Sequence, residues 1–337
     1  MKKFLLRILL FSSPLIVVIF LYIIIDPFYV VHRDPQTSVD RNYITPANRD
    51  FQTVASYIRN HKKYKYDSFI MGNSRSLFYK TASWDQYISG KSVHFDASGE
   101  TLYGIERKLN YLDENHTDIK NALLVIDGDL LKITKNSSYL FIKHPAITKE
   151  SILAFQIEMF RGYLSKSFFA YTDLYFFGKK RDYMNAFGIK NNMWHYSRQN
   201  NELSYAVFDS IIAKNPDDYY IPKMKIFYKR SPEQRISIPS ITNETQLKML
   251  AHIKQIFDSH HTNFKIVISP LYRQLKMNPA DLQFLRSLFG TENVFDFSGV
   301  NGFTNDYRNY YETSHYRPNV ADSIMKIVYA KDKITAK

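Results

Sequence analysis

The stretch Phe69-Ile-Met-Gly72-Asn-Ser74-Arg-Ser indicates how this chain folds, because an apolar run of strand length breaks at a glycine and is followed directly by a serine. We expect Gly72 to end a buried strand and Ser74 to lie in the turn where a helix begins. Unpaired backbone N–H groups at the first turn of a helix can stabilise an oxyanion. The stretch therefore predicts both a sheet strand and a candidate nucleophile.

A second segment, near the end of the chain, contains the partners that a nucleophilic serine needs. Tyr311-Glu312-Thr-Ser-His315-Tyr places a carboxylate three residues before a histidine. A serine hydroxyl is a weak nucleophile at neutral pH, so an imidazole must take its proton while a carboxylate holds the imidazole in the correct tautomer. We predict Ser74 as the nucleophile, His315 as the base and Glu312 as the residue that orients the base.

Structural roles are the alternatives for the same residues. Ser74 belongs to a residue type that caps helices, and His315 can be an ordinary surface or core histidine. Ser76 is a second candidate nucleophile, although it would lie further into the helix than Ser74. The sequence does not show that Ser74 and His315 meet in the fold.

Apolar runs of strand length alternate with helical segments over most of the chain. The predicted strands are residues 68–71, 92–95, 122–126, 264–268 and 293–297, and the predicted helices are residues 48–60, 102–112, 245–259, 279–289 and 319–329. Largely apolar strands separated by helices predict an α/β fold, with a parallel sheet of about five strands sandwiched by helices. Loops at the carboxyl ends of such strands converge on a crevice, and Ser74, Gly99 and Asp127 lie in these loops.

Polar residues beyond these strand ends are the candidates for substrate contact. The predicted pocket residues are Asn73, Arg75, Asp127, Asp129, Tyr272 and Arg273. The segments Trp194-His195 and His260-His261 lack the His, Cys and carboxylate spacing of a zinc site. We therefore predict no metal and no cofactor.

The alternation is interrupted from residue 132 to residue 239 by a stretch too long for an ordinary connection. It is rich in aromatic residues and is predicted to be mostly helical up to about Lys180. We interpret it as an inserted helical cap over the active-site face. It could dock on a membrane partner, cover a glycan, or only pack its aromatic residues into a small core of its own.

The first 25 residues predict a membrane anchor. Lys2, Lys3 and Arg7 accompany an apolar run from Phe4 to Ile25, which is long enough for a hydrocarbon core that needs about 20 helical residues. The basic end should stay cytoplasmic and leave the body of the protein outside, in the periplasm or at the cell surface. A cleaved signal peptide is the alternative, but no site with small residues precedes Asp26.

These features divide the chain into four parts. Residues 1–25 are the predicted transmembrane signal anchor, and residues 26–47 are a juxtamembrane linker. Residues 48–131 together with 240–332 form the predicted α/β domain, and residues 132–239 form the insertion.

The net charge of +13 raises the question of a nucleic-acid partner. The basic residues are scattered in ones, twos and threes, and no nucleic-acid motif accompanies them, so we predict no nucleic-acid partner. An anionic membrane or an anionic wall polymer explains the excess better, and the alternative is that the charge has no specific partner. The absence of cysteine excludes disulfides.

Four short blocks resemble those of the SGNH/GDSL hydrolase superfamily, over roughly residues 60 to 330. Gly72-Asn73-Ser74 resembles the first block, commonly Gly-Asp-Ser, and Glu312-Thr-Ser-His315 resembles the last, Asp-x-x-His. Phe95-Asp-Ala-Ser-Gly99-Glu is similar to the second block, whose glycine N–H joins the oxyanion hole. The third block is Gly-x-Asn-Asp, whereas Val125-Ile-Asp127-Gly-Asp129 has no asparagine, and an ionised aspartate cannot donate a hydrogen bond.

The resemblance implies an SGNH-like, flavodoxin-like sheet, with Ser74, His315 and Glu312 as the triad and the N–H groups of Ser74 and Gly99 as the oxyanion hole. A basic anchor before a divergent SGNH domain is also similar to accessory proteins that work beside polytopic membrane-bound O-acyltransferases, such as those of alginate acetylation and of D-alanyl transfer to teichoic acid. The implied function is an O-acyltransferase that acts through an acyl-serine on a cell-envelope polysaccharide or wall polymer.

Two alternatives to the transferase stay open. One is an SGNH esterase or deacetylase of envelope glycans, in which water accepts the acyl group. The other is a non-catalytic module that binds glycan or scaffolds a membrane complex, and the missing asparagine of the third block favours it.

Overall fold

The computed structural model describes residues 1–32, 43–44, 49–166, 168–187, 189–191, 195–197, 199–231 and 233–330. The described residues fall into two compact units. Unit 1 comprises Met1–Gln52, Ser137–Pro145 and Lys149–Asn192. Unit 2 comprises Thr53–Asn136, Ala146–Thr148 and Met193–Lys337.

A five-stranded parallel sheet is the framework of unit 2. Its strands are β1 (Ser68–Gly72), β2 (Ser92–His94), β3 (Asn121–Ile126), β4 (Asn263–Ile268) and β5 (Val294–Asp296). Their order across the sheet is β5-β4-β3-β1-β2, and every neighbouring pair is parallel. The predicted α/β fold, with five parallel strands flanked by helices, is confirmed.

Helices account for most of the remaining regular structure. The longer ones are α1 (Lys2–Ile25), α2 (Arg49–Tyr64), α3 (Leu102–Glu114), α4 (Ile152–Lys166), α5 (Phe168–Phe177), α6 (Ala206–Lys214), α7 (Glu244–Ser259), α8 (Pro279–Phe289) and α9 (Pro318–Val328). Single turns of α-helix are Thr81–Trp84, Gly128–Leu131, Pro145–Thr148, Pro216–Tyr220 and Gly302–Asn305. The 3₁₀ turns are Ser76–Phe78, Tyr139–Phe141, Asp182–Phe187, Ile221–Ile226, Thr291–Asn293 and Tyr307–Asn309.

Among the described residues, four pairs of very short strands lie outside the five-stranded sheet. They are Tyr43–Ile44 with Lys190–Asn191, His195–Tyr196 with Leu203–Ser204, Arg235–Ile236 with Leu275–Lys276, and Tyr310–Glu312 with His315–Tyr316. The last of these hairpins carries two of the predicted catalytic residues.

The sheet of unit 2 is buried on both faces. Successive residues of β1 enter different cores, because side chains alternate across a strand: Phe69 and Met71 join one apolar cluster and Ile70 joins the other. Helices α3, α7 and α8 complete the first cluster, and α9 contributes to the second. Burial on both sides explains why the strands are continuous apolar runs and were recognisable in the sequence.

Helix boundaries in unit 2 follow local capping chemistry. Asn243 and Gln246 form a reciprocal capping box at the start of α7, and Thr101 accepts the Gly104 N–H at the start of α3. Pro279 occupies the first turn of α8, which ends before Gly290. These signals explain why the predicted limits of α7 and α8 agree closely with those in the structure.

Gly72 allows β1 to end beside β3. Its φ is +152°, and a Cβ atom added there would lie 2.3 Å from the Val125 carbonyl oxygen. Neither the backbone conformation nor the close approach suits a residue with a side chain.

Gly72→Ala is therefore expected to lower the free energy of unfolding by about 3 kcal/mol or more. Urea unfolding of the full chain measures this change. Gly302→Ala is the matched control, because a Cβ atom at Gly302 would meet nothing within 4 Å. Equal losses in the two variants would contradict the explanation by close approach.

Unit 1 has its own apolar cluster, in which the end of α1 packs against α4 and α5. The Tyr22 ring lies 5.4 Å from the Phe160 ring, and its hydroxyl donates to Gln156 Oε1 at 2.8 Å. Beyond the helix, the Phe28 ring lies 5.6 Å from that of Tyr171. The last turn of α1 is thus held by helices from the predicted insertion.

The predicted insertion is divided between the units. Residues 137–145 and 149–192 of the insertion belong to unit 1, and residues 132–136, 146–148 and 193–239 belong to unit 2. The predicted helices up to Lys180 are present as α4 and α5. A cap over the active-site face stays a prediction.

The N-terminal prediction is not supported as it was made. Residues 2–25 are helical, but within the described residues no helix qualifies by length and apolar character as a membrane span. Of the predicted linker, residues 26–47, the structure describes residues 26–32 and 43–44, and the rest lies outside the described residues.

Candidate active site

The candidate site lies where the strand order of the sheet reverses. From β1 the chain moves to β2 on one side, whereas β3 lies on the other side of β1. Ligands of such sheets bind outside the carboxyl ends of the strands at this switch point. Ser74 follows β1 and Asp127 follows β3, so both lie at the expected edge.

The turn that carries Ser74 leads into a 3₁₀ turn. β1 ends at Gly72, residues 73–75 form the turn, and a 3₁₀ turn, Ser76–Phe78, follows. The next α-helical segment, Thr81–Trp84, has only four residues. Ser74 thus lies in a turn before a helical segment, as predicted, but that segment is a single 3₁₀ turn. A helix dipole contributes little here, because one 3₁₀ turn aligns few peptide groups.

The predicted triad residues are brought together. His315 Nε2 lies 2.7 Å from Ser74 Oγ, and His315 Nδ1 is hydrogen-bonded to Glu312 Oε1. A carboxylate can only accept, so Nδ1 carries the proton toward Glu312 and Nε2 is left to accept from the serine hydroxyl. This is the arrangement that activates a serine by general-base catalysis.

The Glu312–His315 pair is fixed by a small hairpin. Strand Tyr310–Glu312 pairs with His315–Tyr316, and Glu312 lies opposite His315 in the register. The side chains of Tyr310, Tyr311 and Tyr316 are all at most 2% exposed. Three buried tyrosines therefore anchor the hairpin, while its two functional side chains remain partly exposed, 33% for Glu312 and 25% for His315.

The protonation of Glu312 is set by opposing effects. Burial raises the pKa of its carboxyl group, but the hydrogen bond and charge of His315 and the N–H of Ser314, which donates at 2.7 Å, lower it by more. The resulting pKa of Glu312 lies below its ordinary value. Glu312 is therefore an anion at neutral pH, as the orienting acid must be.

This shift predicts a pH-dependent contribution to stability. A carboxyl group whose folded pKa is depressed stabilises the protein above its unfolded pKa, about 4.3, and the contribution is lost as pH falls through the folded pKa. We expect the difference in urea midpoint between the wild type and Glu312→Gln to be largest near neutral pH and to shrink below about pH 4. A difference that stays constant from neutral to acidic pH would contradict this assignment.

Asp127 collects hydrogen bonds beside Ser74. One carboxylate oxygen accepts from Asn73 Nδ2 at 2.6 Å and from Arg75 Nη1 at 2.8 Å. The other accepts from the backbone N–H groups of Asp129 and Leu130 and caps the turn that follows β3. Asp127 is 2% exposed and acts only as an acceptor, so it does not replace the asparagine donor of the third block.

The backbone N–H group of Ser74 is available as an oxyanion donor. Within the described part of the chain, the Ser74 N–H donates to no other group, as an oxyanion donor must before substrate arrives. Gly99 is half-buried in the loop between β2 and α3. Its role as the second donor stays a prediction.

The remaining predicted pocket residues, Asp129, Tyr272 and Arg273, line two different cavities. Asp129 and Arg273 form an ion pair at 2.8 Å, and together with Asp127 they line a cavity of ≈ 110 Å³. Tyr272 lines a different groove of ≈ 420 Å³, with its hydroxyl donating to the Tyr228 carbonyl at 3.0 Å. Tyr272 does not join the Asp127 group.

The sequence analysis did not predict a buried hydrogen-bond network beneath the turn that carries Ser74. Ser76 Oγ lies 2.8 Å from Asp96 Oδ2 and 2.7 Å from the Asn73 carbonyl, and His94 Nδ1 lies 2.9 Å from Asp96 Oδ2. Ser76, His94 and Asp96 are all fully buried. Ser76, the alternative nucleophile, is thus inaccessible and instead ties the Ser74 turn to the loop after β2. An aspartate placed just after a strand was the available signal.

A buried ion pair holds the same loop from its other end. Lys108 Nζ lies 2.5 Å from Glu100 Oε2, and both side chains are fully buried. The ammonium group also donates to the carbonyls of Phe95 and Asp96, at 2.8 and 3.2 Å. The segment that carries Gly99 is therefore fixed at residues 95, 96 and 100. The signal was a lysine on the apolar face of a predicted helix.

A segment from the predicted insertion packs behind the hairpin that carries Glu312 and His315. The Tyr219 hydroxyl donates to the Tyr311 carbonyl at 3.0 Å, and the Lys223 ammonium lies 3.5 Å from the centre of the Tyr219 ring. Burial lowers the pKa of Lys223, and the nearby Glu312 carboxylate opposes that shift. Nothing in the sequence indicated this position, because the segment is neither periodic nor close to the hairpin along the chain.

One of the histidines that we considered as metal ligands, His260, has a carboxylate partner. His260 Nε2 lies 2.8 Å from Asp113 Oδ1. Trp194 lies outside the described residues. No group of three His, Cys, Asp or Glu side chains that could hold a metal ion occurs within the described ranges.

No family model matches this chain, and no curated protein matches its sequence. Parallel α/β sheets host many unrelated activities, so the fold does not identify the function. Function must therefore be inferred from the geometry at the carboxyl edge of the sheet.

Proposed function

We propose that this protein is a serine-dependent acyl-ester enzyme, and that it acts as an O-acyltransferase. The observation that carries the proposal is His315, which lies within hydrogen-bonding distance of both Ser74 and Glu312. The three residues come from two segments far apart in the chain, and they meet at the switch point of the sheet. A helix-capping serine and an unrelated histidine have no reason to form this chain of bonds.

In the proposed acylation step, Ser74 Oγ attacks the carbonyl carbon of an acyl donor while its proton passes to His315 Nε2. The carbonyl π bond breaks to give an oxyanion, which accepts hydrogen bonds from the N–H groups of Ser74 and Gly99. Glu312 stabilises the imidazolium through Nδ1–H. The oxyanion then collapses, the bond to the leaving group breaks, and the leaving group takes the proton from His315.

The second step repeats the chemistry with a new nucleophile. A hydroxyl group gives its proton to His315 Nε2, attacks the acyl-serine, and releases Ser74 with the proton returned to its oxygen. A sugar hydroxyl makes the protein an O-acyltransferase, and water makes it an esterase. The partial exposure of His315 leaves space for either acceptor.

An SGNH-like assignment is part of the proposal. The sheet order, the position of Ser74 after β1 and the position of His315 before α9 support it. The acceptor-only Asp127 is a departure, so we propose an oxyanion hole made of backbone N–H groups without a side-chain donor from the third block.

Attachment to a membrane through α1 is also proposed. Large apolar side chains of α1 are widely exposed, for example Phe11 at 89% and Phe20 at 61%, and such a surface is unfavourable in water. With Lys2, Lys3 and Arg7 on the cytoplasmic side, the catalytic unit would be extracytoplasmic. There it would receive acyl groups from a polytopic membrane-bound O-acyltransferase and deliver them to an envelope glycan.

The test is covalent labelling of the full chain, purified in detergent, with a serine-reactive fluorophosphonate. Intact mass and peptide mapping should show one adduct at Ser74, absent from Ser74→Ala and from His315→Ala. Labelling that persists in Ser74→Ala would contradict the proposal, and so would a folded protein that never labels. Circular dichroism of each variant separates loss of the site from loss of the fold.

Transfer and hydrolysis are separated by the fate of the acyl group. After acylation with p-nitrophenyl acetate, a transferase should lose its acyl-serine faster when a polyhydroxylated sugar is added, and acetyl sugar should form. An esterase should deacylate at the same rate with and without the sugar, and release acetate only.

A non-catalytic glycan-binding module is the second candidate, favoured by Asp127 standing in place of an asparagine donor. It predicts that glycan binding survives Ser74→Ala and that no adduct forms in the wild type. Labelling at Ser74 would remove this candidate.

A further inference from the structure

Unit 1 exposes far more large apolar side chains than a water-soluble surface usually tolerates. On α4 and α5 alone the exposed ones are Ile152 and Leu153 (both 70%), Ile157 (50%), Leu164 (45%), Phe169 (78%), Tyr175 (41%), Phe176 (60%) and Phe177 (67%). Scattered single apolar residues need no explanation, but a set concentrated on two consecutive helices does.

Helix α5 is apolar on both its buried and its exposed sides. Ala170, Tyr171 and Leu174 are buried in unit 1, while Phe169 and Phe176 point outward. A surface helix in water normally presents charged or polar residues on its outer face, and a helix that is apolar all round is surrounded by protein or lipid. The outer face of α5 therefore indicates a second apolar environment.

Helices α4 and α5 pack directly against α1, which is proposed to attach to the membrane. The last turn of α1 packs on both helices in one apolar cluster, through Tyr22, which lies 5.4 Å from Phe160, and through Ile25. The side chains before this turn, such as Phe11 and Phe20, are exposed. If those side chains lie in lipid, then α4 and α5 are held where α1 leaves the hydrocarbon.

Basic residues follow α5 immediately. Lys179 and Lys180 form no ion pair within the described residues, and Arg181 stacks over Phe177 and pairs with Asp173. Aromatic residues next to lysine and arginine are typical of segments that lie at the membrane interface, where rings enter the headgroup region and cations meet anionic lipid.

We propose that α4 and α5 form a membrane-inserted platform in which their exposed side chains enter the outer layer of an anionic bilayer beside α1. The proposal rests on the membrane attachment stated above. The occupant is lipid, because the exposed apolar side chains are followed by lysines that form no ion pair within the described residues, and because α4 and α5 pack on α1, whose exposed side chains are also apolar. The platform would give unit 1 a second attachment to the membrane beside α1.

The chain has no cysteine, so single cysteines report on single positions without background. The full chain is reconstituted into vesicles of phosphatidylcholine and phosphatidylglycerol, with an environment-sensitive fluorophore on Phe176→Cys, Leu153→Cys, Phe20→Cys or Ile238→Cys. Ile238, in unit 2, is the matched control, because it is 72% exposed and Phe176 is 60% exposed. Iodide quenches from water, and brominated lipid quenches from the bilayer.

We expect Phe176→Cys and Leu153→Cys to be several-fold less accessible to iodide than Ile238→Cys and to be quenched by brominated lipid. Iodide accessibility equal to that at position 238 would overturn the platform. Protection from iodide without quenching by lipid would also overturn it, because a protein surface would then cover α5. Phe20→Cys reports separately on α1. If only the fluorophore at position 20 is quenched by brominated lipid, attachment through α1 is supported and insertion of α4 and α5 is overturned.

Discussion

Ser74→Ala should abolish covalent labelling and lower p-nitrophenyl acetate turnover by about 10⁴-fold or more, which is the scale on which triad serines act. The reason is geometric: the Ser74 hydroxyl is the only group that His315 Nε2 contacts at 2.7 Å in the described structure. The fold should be almost unaffected, because Ser74 lies in a partly exposed turn and its hydroxyl supports no buried residue. Steady-state kinetics and urea unfolding measure the two effects separately.

Coupling among the triad residues provides the sharper control. His315→Ala alone should lose nearly as much activity as Ser74→Ala, and the double variant should lose no more, because the residues act as one unit. Ser287→Ala, on the exposed side of α8, is the matched serine control and should keep full activity. Multiplicative losses in the double variant would mean that the two residues act independently, against the structure.

Lys108→Met should have the largest effect on stability, about 3–5 kcal/mol, because it removes the ammonium group that pairs with the buried Glu100 carboxylate. Both side chains are fully buried at 2.5 Å from each other, and Lys108 also satisfies the carbonyls of Phe95 and Asp96. Urea unfolding of the full chain gives the difference. Activity should fall as well, because the loop between residues 95 and 100 carries Gly99.

A compensating variant distinguishes the buried charge from lost packing. Lys108→Met combined with Glu100→Gln removes both charges and should recover part of the loss. Lys254→Met is the matched control: Lys254 pairs with the 60% exposed Asp258 one helical turn away, and its loss should change stability by less than about 1 kcal/mol. If the double variant is no more stable than Lys108→Met, the buried charge of Glu100 is not the cause.

The sheet could be predicted because burial on both faces makes its strands continuous apolar runs in the sequence. β1, β3 and β4 are apolar on both faces, and Gly72 marks the end of β1 through a conformation that suits only glycine. Helix limits were also predictable where capping chemistry is local, as at Asn243 and Pro279. Each of these signals acts within a few residues, so no knowledge of the fold was needed.

The turn after Ser74 could not be predicted, because distant residues decide it. Ser76 enters a buried network with Asp96 and His94, which holds residues 76–78 in a 3₁₀ turn rather than an α-helix. The division of the insertion between two units was equally hidden. The insertion is rich in aromatic residues on both sides of residue 193, and these residues differ only in the apolar cluster that they join.

The sequence by itself determined the five strands, the residue types of a serine triad and the apolar N-terminal run, because each is a pattern of neighbouring residues. Only the tertiary structure decided that His315 lies within hydrogen-bonding distance of Ser74. It also decided that Asp127 accepts hydrogen bonds from Asn73 and Arg75, and that Ser76 is buried. These outcomes depend on the order of strands in the sheet and on the hairpin anchored by Tyr310, Tyr311 and Tyr316. Contacts between segments more than 50 residues apart leave no pattern among neighbouring residues, so only the folded structure identifies them.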